Sequence, residues 1–167
     1  MSSGPDSDTR KQVNVAIAQV SPDSSDALDL IEALDEELLR RYPGAVIEGL
    51  LREDATDRFA FLVARIGNRP VACGAVREIA PNVGEIKRMF VRPEHRGQGI
   101  ARAILSALET RAAELGYSTL RIETGSRQPE AIGLYTSAGY VAIPPFGKYA
   151  GNPYSHCYEK RLLSRGR

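Results

Sequence analysis

Hydrophobic and polar residues alternate along several short stretches of the chain, which is typical of strands with one buried face. The alternation, and the turn residues between these stretches, predict strands at 13–20, 59–66, 71–79, 85–91, 119–124, 140–143 and 154–162. The second, third and fourth strands are separated by short turns rich in glycine, proline and asparagine, which predict an antiparallel meander.

Apolar residues at intervals of three and four predict an amphipathic helix from Asp26 onward. It should end before the Tyr-Pro-Gly sequence at 42–44, because proline disfavours helical backbone in the residue before it. A short, weaker helix is predicted at 47–51. The buried stripe of the first helix is expected to consist of Leu28, Ile31, Leu34, Leu38 and Leu39.

A second amphipathic helix is predicted at 100–115, between the strands at 85–91 and 119–124. Because a strand–helix–strand unit of this length forms a right-handed crossover, these two strands should be parallel neighbours. A third helix is predicted from Pro129, a residue suited to a first helical turn, to Gly139. Together the elements predict an α/β (α+β) fold whose sheet is antiparallel in its first half and contains one parallel pair.

The length of 167 residues suits one domain, which we expect at 12–163, after a disordered leader at 1–11 that is rich in Ser, Asp and Gly. The formal net charge of +1 gives no electrostatic reason to expect nucleic acid or a membrane as partner. Cys73 and Cys157 lack metal-ligand spacing, so no metal is expected. Without a long apolar run or a signal-peptide pattern, the expected location is the cytoplasm.

The turn before the second helix, residues 96–101, reads Arg-Gly-Gln-Gly-Ile-Ala. Its glycines allow positive φ or a close approach of a ligand, and the first N–H groups of the helix lack intrahelical partners. These donors, the helix dipole and the arginine side chain together suit an anion such as phosphate, which His95 could also approach. Taken alone, the glycines are equally consistent with a tight connection.

Two common phosphate-binding patterns fit this turn poorly. A Walker loop requires Lys-Ser or Lys-Thr after its last glycine, and neither pair follows Gly99. A Rossmann fingerprint requires a third glycine, and Arg102 occupies that position. The pattern that fits is R-x-x-G-x-A, with Arg96, Gly99 and Ala101 as its fixed members.

Preceded by a strand that ends in Met-Phe-Val at 89–91, this turn resembles the pyrophosphate-binding motif of the GCN5-related N-acetyltransferase (GNAT) superfamily. Residues 131–140 resemble the family's second signature, a helix with the pattern A-x-x-L-Y-x-x-x-G-[FY]. Both motifs lie within residues 83–143, about a third of the chain, in the order and spacing of the family.

The resemblance implies a fold, a reaction and a co-substrate. The fold would be a GNAT-like mixed sheet of about six to seven strands, flanked by about four helices, with a splayed parallel pair at its centre. The activity would be that of an acyltransferase, which transfers acetyl from acetyl-CoA directly to a primary amine in a ternary complex. The coenzyme-binding residues would be Met89, Phe90, Val91, Arg96, Gly97, Gln98, Gly99, Ile100, Ala101, Gln128 and Tyr135.

Within this resemblance, the backbone at 89–91 binds the pantetheine arm and polarises the thioester carbonyl. Tyr135 is the general acid for the leaving sulfur, since a phenol is protonated at neutral pH. Glu123 is the first candidate for the base, as in the ribosomal-protein N-terminal acetyltransferases, and Glu85 is the second; a relay through water is the third. Gln128 stands where many members have a shorter Asn, which weakens its contact with the coenzyme as a prediction.

Other features bear on the site. Lys87 and Arg88 are consecutive in a strand, so we expect them to face opposite sides of the sheet. A buried charge there needs a partner, which would be Glu85, Glu123 or an anionic group of the acceptor. The loop at 144–153 contains three prolines and two glycines, and a loop of this length is more often functional than idle.

The charge of the chain does not choose between a small amine, an amino acid and a peptide N-terminus as acceptor, and a homodimer is left open. Two rival functions belong to other classes. A non-catalytic acyl-CoA-binding or sensing module would keep the turn without turnover, although the presence of Tyr135 argues against it. A regulator that binds nucleic acid would carry a basic stripe, which the sequence lacks.

Overall fold

The computed structural model describes residues 13–47, 49 and 54–163. The leader expected at 1–11 and most of the helix predicted at 47–51 lie outside these residues. The elements of the described part are β1 (Ala16–Val20), α1 (Ser25–Arg41), β2 (Ala60–Ile66), β3 (Arg69–Ala80), β4 (Val83–Val91), α2 (Ile100–Glu114), β5 (Thr119–Gly125), α3 (Pro129–Ser137), β6 (Val141–Ile143) and β7 (Ser155–Arg161). All predicted strands and the three longer predicted helices are confirmed. None of the described helices combines the length and the apolar character needed to cross a membrane.

The strands form one seven-stranded mixed sheet in the order β1-β2-β3-β4-β5-β7-β6. Neighbouring strands are antiparallel everywhere except at the centre, where β4 and β5 run parallel and α2 connects them. This confirms the predicted architecture, an antiparallel first half with one parallel pair. The last strand, β7, lies between β5 and β6, an arrangement that no local pattern in the sequence predicts.

The parallel pair separates part-way along its length. The pairing of β4 with β5 ends at Ile86 and Ile122, whereas β4 stays paired with β3 to its end. Beyond that point Gly74 of β3 lies opposite two residues of β4, Arg88 and Met89, which is the geometry of a β-bulge. Arg88 has a φ of 59°, in the left-handed region. Because a bulge bends its strand, a gap opens between β4 and β5, and the central pair is splayed as the resemblance implied.

The bulge overturns the expectation that Lys87 and Arg88 face opposite sides of the sheet. Lys87 lies opposite Ala75, which belongs to the apolar layer under α1. Arg88 forms an ion pair with Asp35 of α1, with Nη1 and Oδ1 2.6 Å apart. Both side chains therefore face α1, because the extra residue shifts the alternation by one position. The partner of Arg88 is thus a helix carboxylate, and the expected sheet carboxylate, Glu85, lies near Lys87 instead.

One long helix covers each face of the sheet. The buried residues of α2 are Ile100, Ile104, Leu105, Leu108 and Ala112, and those of α1 are Ala27, Leu30 and Leu34. The stripe predicted for α1 is wrong at Leu28 and Leu39, which are 52% and 47% exposed. The helix instead packs on the sheet through a face that begins with an alanine, and a pattern drawn from large apolar residues alone does not detect such a face.

We expect Gly74→Val to destabilise the fold, because a Cβ at this position would lie 2.7 Å from both Leu108 Cδ1 and Met89 Sδ. Overpacking of this kind costs about 1–3 kcal/mol, measurable as a lower free energy of unfolding in urea. The control is Gly133→Ala, where a Cβ meets nothing within 4 Å and the helix should gain stability. Equal unfolding free energies for Gly74→Val and the wild type would contradict this account of the bulge.

Candidate active site

The gap between β4 and β5 opens into a cavity of about 730 Å³. The described residues of its walls belong to the second half of α1 and positions 46–47, residues 86–91 of β4, the turn before α2, the end of β5 with α3, the loop at 144–153, and the start of β7. All predicted coenzyme-binding residues except Gln98 line this cavity, and so does Glu123. Glu85 does not. Residues far apart in the sequence therefore meet at one site, which the splayed strands create.

The turn before α2 has the geometry expected of an anion site. Gly97 and Gly99 have φ angles of +78° and +80°, and a Cβ added at either would meet nothing within 4 Å. The space beside both residues is therefore open, and only their positive φ demands glycine. His95 Nε2 is buried at this edge of the cavity and has no hydrogen-bond partner among the described residues. These features fit a phosphoryl group, whose oxygens would accept from the turn.

Arg96 holds the turn in place. Its Nε donates to the carbonyl of Val91 at 2.9 Å, and its Nη2 donates to Glu37 Oε1 of α1 at 2.7 Å. The guanidinium also lies 5.7 Å from the centre of the Phe90 ring. Arg96 thus joins the end of β4, the turn and α1, in addition to lending positive charge to the cavity.

Glu123 and Tyr135 lie on the walls of the same cavity, from β5 and α3. Burial raises the pKa of Glu123 above its ordinary value, and the hydroxyl of Ser155, which donates to Glu123 Oε1 at 2.9 Å, offsets part of that rise. Burial also raises the pKa of Tyr135, and the negative charge of Glu123 adds to the effect. The carboxylate is therefore a stronger base than in water, and the phenol stays protonated.

Glu85, the other candidate base, is engaged in ion pairs and away from the cavity wall. Its side chain is 1% exposed, and its Oε1 accepts from Arg77 Nε at 3.0 Å. The same oxygen lies 3.8 Å from Lys87 Nζ. Arg77 also pairs with Asp54 at 3.0 Å. A carboxylate held in this way is less available for proton transfer than Glu123, whose oxygen accepts from a neutral hydroxyl.

Several wall residues were not identified as site residues from the sequence. The loop at 144–153 contributes Lys148, Tyr149 and Asn152, and β7 contributes Ser155. The composition of the loop predicted a functional role, but not which residues carry it. Burial raises the pKa of Tyr149, and the carboxylates of Glu85 and Glu123 raise it further. No sequence signal marked Ser155, because its position depends on the pairing of β7 with β5.

A sequence profile of the Acetyltransferase (GNAT) family matches residues 27–140, which include both motifs and the walls of the cavity from α1 to α3. The chain belongs to the GNAT family. A relative from Azospirillum brasilense named IAA acetyltransferase is 40% identical over 151 residues, covering 89% of this chain and 99% of its own. The chain is thus an acetyltransferase, as the resemblance implied.

Solved structures agree with this family membership. The crystal structure of a candidate acyl-CoA N-acyltransferase from Klebsiella pneumoniae is 33% identical, with a TM-score of 0.77 over 89% of this chain and 98% of the other. A GNAT acetyltransferase from Elizabethkingia anophelis, solved with acetyl-CoA bound, shares the fold at 19% identity, with a TM-score of 0.64 over 89% and 99% of the two chains. The acetyltransferase therefore has the fold of its family over nearly its whole described length.

We expect the Glu123→Gln variant of the acetyltransferase to gain stability relative to the wild type as the pH rises. The folded protein raises the pKa of Glu123 above 4.5, so it binds this proton more tightly than the unfolded chain. Glu123 therefore stabilises the fold at pH values below the pKa that it has in the unfolded chain. This stabilisation is lost as the pH rises through the higher pKa that it has in the folded protein. Unfolding free energies measured from about pH 4 to about pH 8 should show the difference between variant and wild type growing in favour of the variant.

The matched control is Glu94→Gln at an exposed site. The pKa of Glu94 is lowered by a hydrogen bond from its own backbone and by the charge of nearby Arg69. The stability of Glu94→Gln relative to the wild type should therefore fall, not rise, as the pH increases. Parallel pH profiles for Glu123→Gln and the wild type would contradict the raised pKa.

Proposed function

We propose that this acetyltransferase moves the acetyl group of acetyl-CoA directly to a primary amine, with both substrates bound at once. The observation that carries the proposal is a single cavity with the glycine turn of α2 on one side and Glu123 and Tyr135 on another. A coenzyme whose diphosphate lies at the turn would extend its pantetheine arm along the open edge of β4. That edge has no pairing with β5 beyond Ile86, which leaves its backbone groups for the arm.

The proposed reaction needs three proton transfers and one stabilised oxyanion. Glu123, as the base, takes one proton from the acceptor ammonium, and the freed amine forms the new C–N bond to the thioester carbon. Backbone N–H groups of β4 near Met89 and Phe90 stabilise the negative oxygen of the tetrahedral intermediate. When the C–S bond breaks, Tyr135 gives its proton to the sulfur. The second proton lost by the nitrogen restores Tyr135, and Glu123 releases its proton to solvent, so the protons balance.

Direct transfer is also supported by the position of the cysteines. The chain has two, Cys73 and Cys157, and neither lines the cavity. Burial raises the pKa of Cys73 to about 12, so little thiolate exists at neutral pH. Because the thiolate is the nucleophilic form, an acetyl-cysteine intermediate is disfavoured.

The enzymatic function is favoured over a non-catalytic acyl-CoA-binding or sensing module. Relatives of the chain carry acetyltransferase names, and Tyr135 and Glu123 both lie on the cavity wall. An assay of thiol release with acetyl-CoA and a panel of primary amines tests the proposal. IAA is assayed beside this panel as a separate acceptor, because the Azospirillum brasilense relative is named an IAA acetyltransferase.

We expect Gly99→Val to abolish coenzyme binding, measured by isothermal titration with coenzyme A. The substitution puts a branched side chain into the open space at the turn and strains a φ of +80°. The control is Gly67→Val, which strains a φ of +59° at the β2–β3 turn, away from the cavity. The control should lose stability but bind the coenzyme normally. Undiminished binding by folded Gly99→Val would contradict a diphosphate site at this turn.

Tyr135→Phe should lower kcat by roughly 100-fold and lower coenzyme affinity much less, because it removes the proton donor and keeps the aromatic ring on the cavity wall. The matched control is Tyr140→Phe. Tyr140 is also buried, its ring centre is 6.0 Å from that of Tyr135, and it does not line the cavity. Steady-state kinetics with saturating acetyl-CoA distinguish the two variants. A wild-type kcat for Tyr135→Phe would rule out the general-acid role.

A further inference from the structure

Lys87 is a nearly buried cation that faces the cavity with weak compensation from the protein. Its side chain is 11% exposed and lines the cavity on the β4 side. Within the described residues, its ammonium makes one ion pair, to Glu85 Oε1 at 3.8 Å. That oxygen already accepts from Arg77 at 3.0 Å. An ammonium removed from water in this way is stabilised by any anion that reaches it through the cavity.

A second cation adjoins the first. Lys148 lies in the loop at 144–153, lines the same cavity, and is close enough to Lys87 to affect its ionisation. The pKa of Lys87 is lowered to about 8, chiefly by burial, with Glu85 acting to raise it and the charges of Arg77 and Lys148 acting to lower it. Like charges side by side are unfavourable unless an anion lies between or beside them. Both lysines also lie on the cavity wall, so a negatively charged group that enters the cavity can contact both of them.

A carboxylate of the protein lies on the same cavity. Glu123 is close enough to Lys87 and Lys148 for each of them to lower its pKa, although burial raises that pKa overall. In the proposed reaction Glu123 receives the ammonium end of the acceptor. The acceptor end of the cavity, defined as Lys87, Glu123, Lys148 and Tyr149, thus offers a negative group for an amine and two positive groups for an anion.

The cavity also limits the size of the acceptor. Outside the cavity, side chains at the end of α1 are joined to the turn between β5 and α3. Arg41 Nη1 donates to the carbonyl of Arg127 at 3.0 Å, and Arg127 Nη1 donates to the carbonyl of Arg41 at 2.7 Å. The backbone N–H of Arg127 donates to the Tyr42 hydroxyl at 2.9 Å. A total of about 730 Å³, shared with the coenzyme arm, favours a small molecule over a folded protein.

We propose that the acceptor is a small amino-carboxylate, whose carboxylate binds Lys87 and Lys148 while its amine lies at Glu123. This inference rests on the proposed function and names the substrate class of the same site. The carboxylate takes no part in bond making: the C–N bond forms and the C–S bond breaks as described above. Its charge is attracted to both lysines, and its position directs the amine toward the base.

The first experiment compares amino acids with their own carboxamides as acceptors for the wild-type enzyme. Glycine, L-alanine, L-methionine, L-phenylalanine and L-glutamate are each assayed beside the matching amide, by thiol release from acetyl-CoA. We expect at least one of the acids to have a KM lower than that of its amide by about 10- to 100-fold, the value of one or two charge-assisted hydrogen bonds. The amide carries the less basic amine, so amine reactivity alone would favour the amide.

The second experiment removes the cations. Lys87→Met and Lys148→Met should each raise the KM for the preferred acid by about tenfold or more. Neither variant should change the KM for the amide or for acetyl-CoA. Arg69→Met, which removes an exposed cation paired with Glu94 away from the cavity, is the matched control and should leave every KM unchanged. If Lys87 were instead the base, Lys87→Met would lower kcat for acid and amide alike, which would overturn the inference.

The outcomes separate this inference from the proposed function. Transfer to amides as efficient as transfer to acids would overturn the amino-carboxylate inference and leave the acetyltransferase reaction intact. Binding of acetyl-CoA without thiol release for any amine would contradict the proposed function, and the inference would fall with it. Because Lys148 is an exposed loop residue, its variant tests the site even if Lys87→Met does not fold.

Discussion

The site depends on one extra residue in the ladder between β3 and β4. Gly74 lies opposite both Arg88 and Met89, and the resulting bulge turns β4 away from β5. Two contacts to Arg88 stabilise the bulge. The Cys73 thiol donates to the carbonyl of Arg88 at 3.3 Å, and Asp35 pairs with the guanidinium of Arg88. Arg88 Nε remains buried with no partner among the described residues. The fold therefore tolerates a left-handed arginine and an unsatisfied donor in order to keep the sheet open.

The open sheet gives two neighbouring carboxylates different chemical characters. Glu85 and Glu123 lie on adjacent strands, at the side of the sheet that the loop at 144–153 approaches. Arg77 and Lys87 form ion pairs with Glu85, which is buried inside the protein. The charge of Glu85 contributes to the raised pKa of Glu123, after the larger effect of burial. Ion pairing of one carboxylate thus helps to make the other a better base.

The two ends of the cavity use different parts of the protein. In the proposed complex the turn at the start of α2 would contact the coenzyme through main chain, so its sequence needs glycines and a helix start more than particular side chains. The acceptor end consists of side chains from β4, β5 and the loop at 144–153, which can vary without changing the coenzyme site. This difference explains why the glycine turn can be recognised as a sequence motif and the acceptor end cannot.

Patterns within the sequence were enough to predict the strands, the longer helices, the parallel pair and the glycine turn. Each of these depends on residues close together in the chain, through alternation, helical spacing or the conformational freedom of glycine. The tertiary structure alone decided that β7 lies between β5 and β6, and that α1 buries Ala27 rather than Leu28. It also decided the bulge at Arg88 and the ion pairs that distinguish Glu85 from Glu123. These features depend on contacts between residues far apart in the chain, which local patterns do not encode.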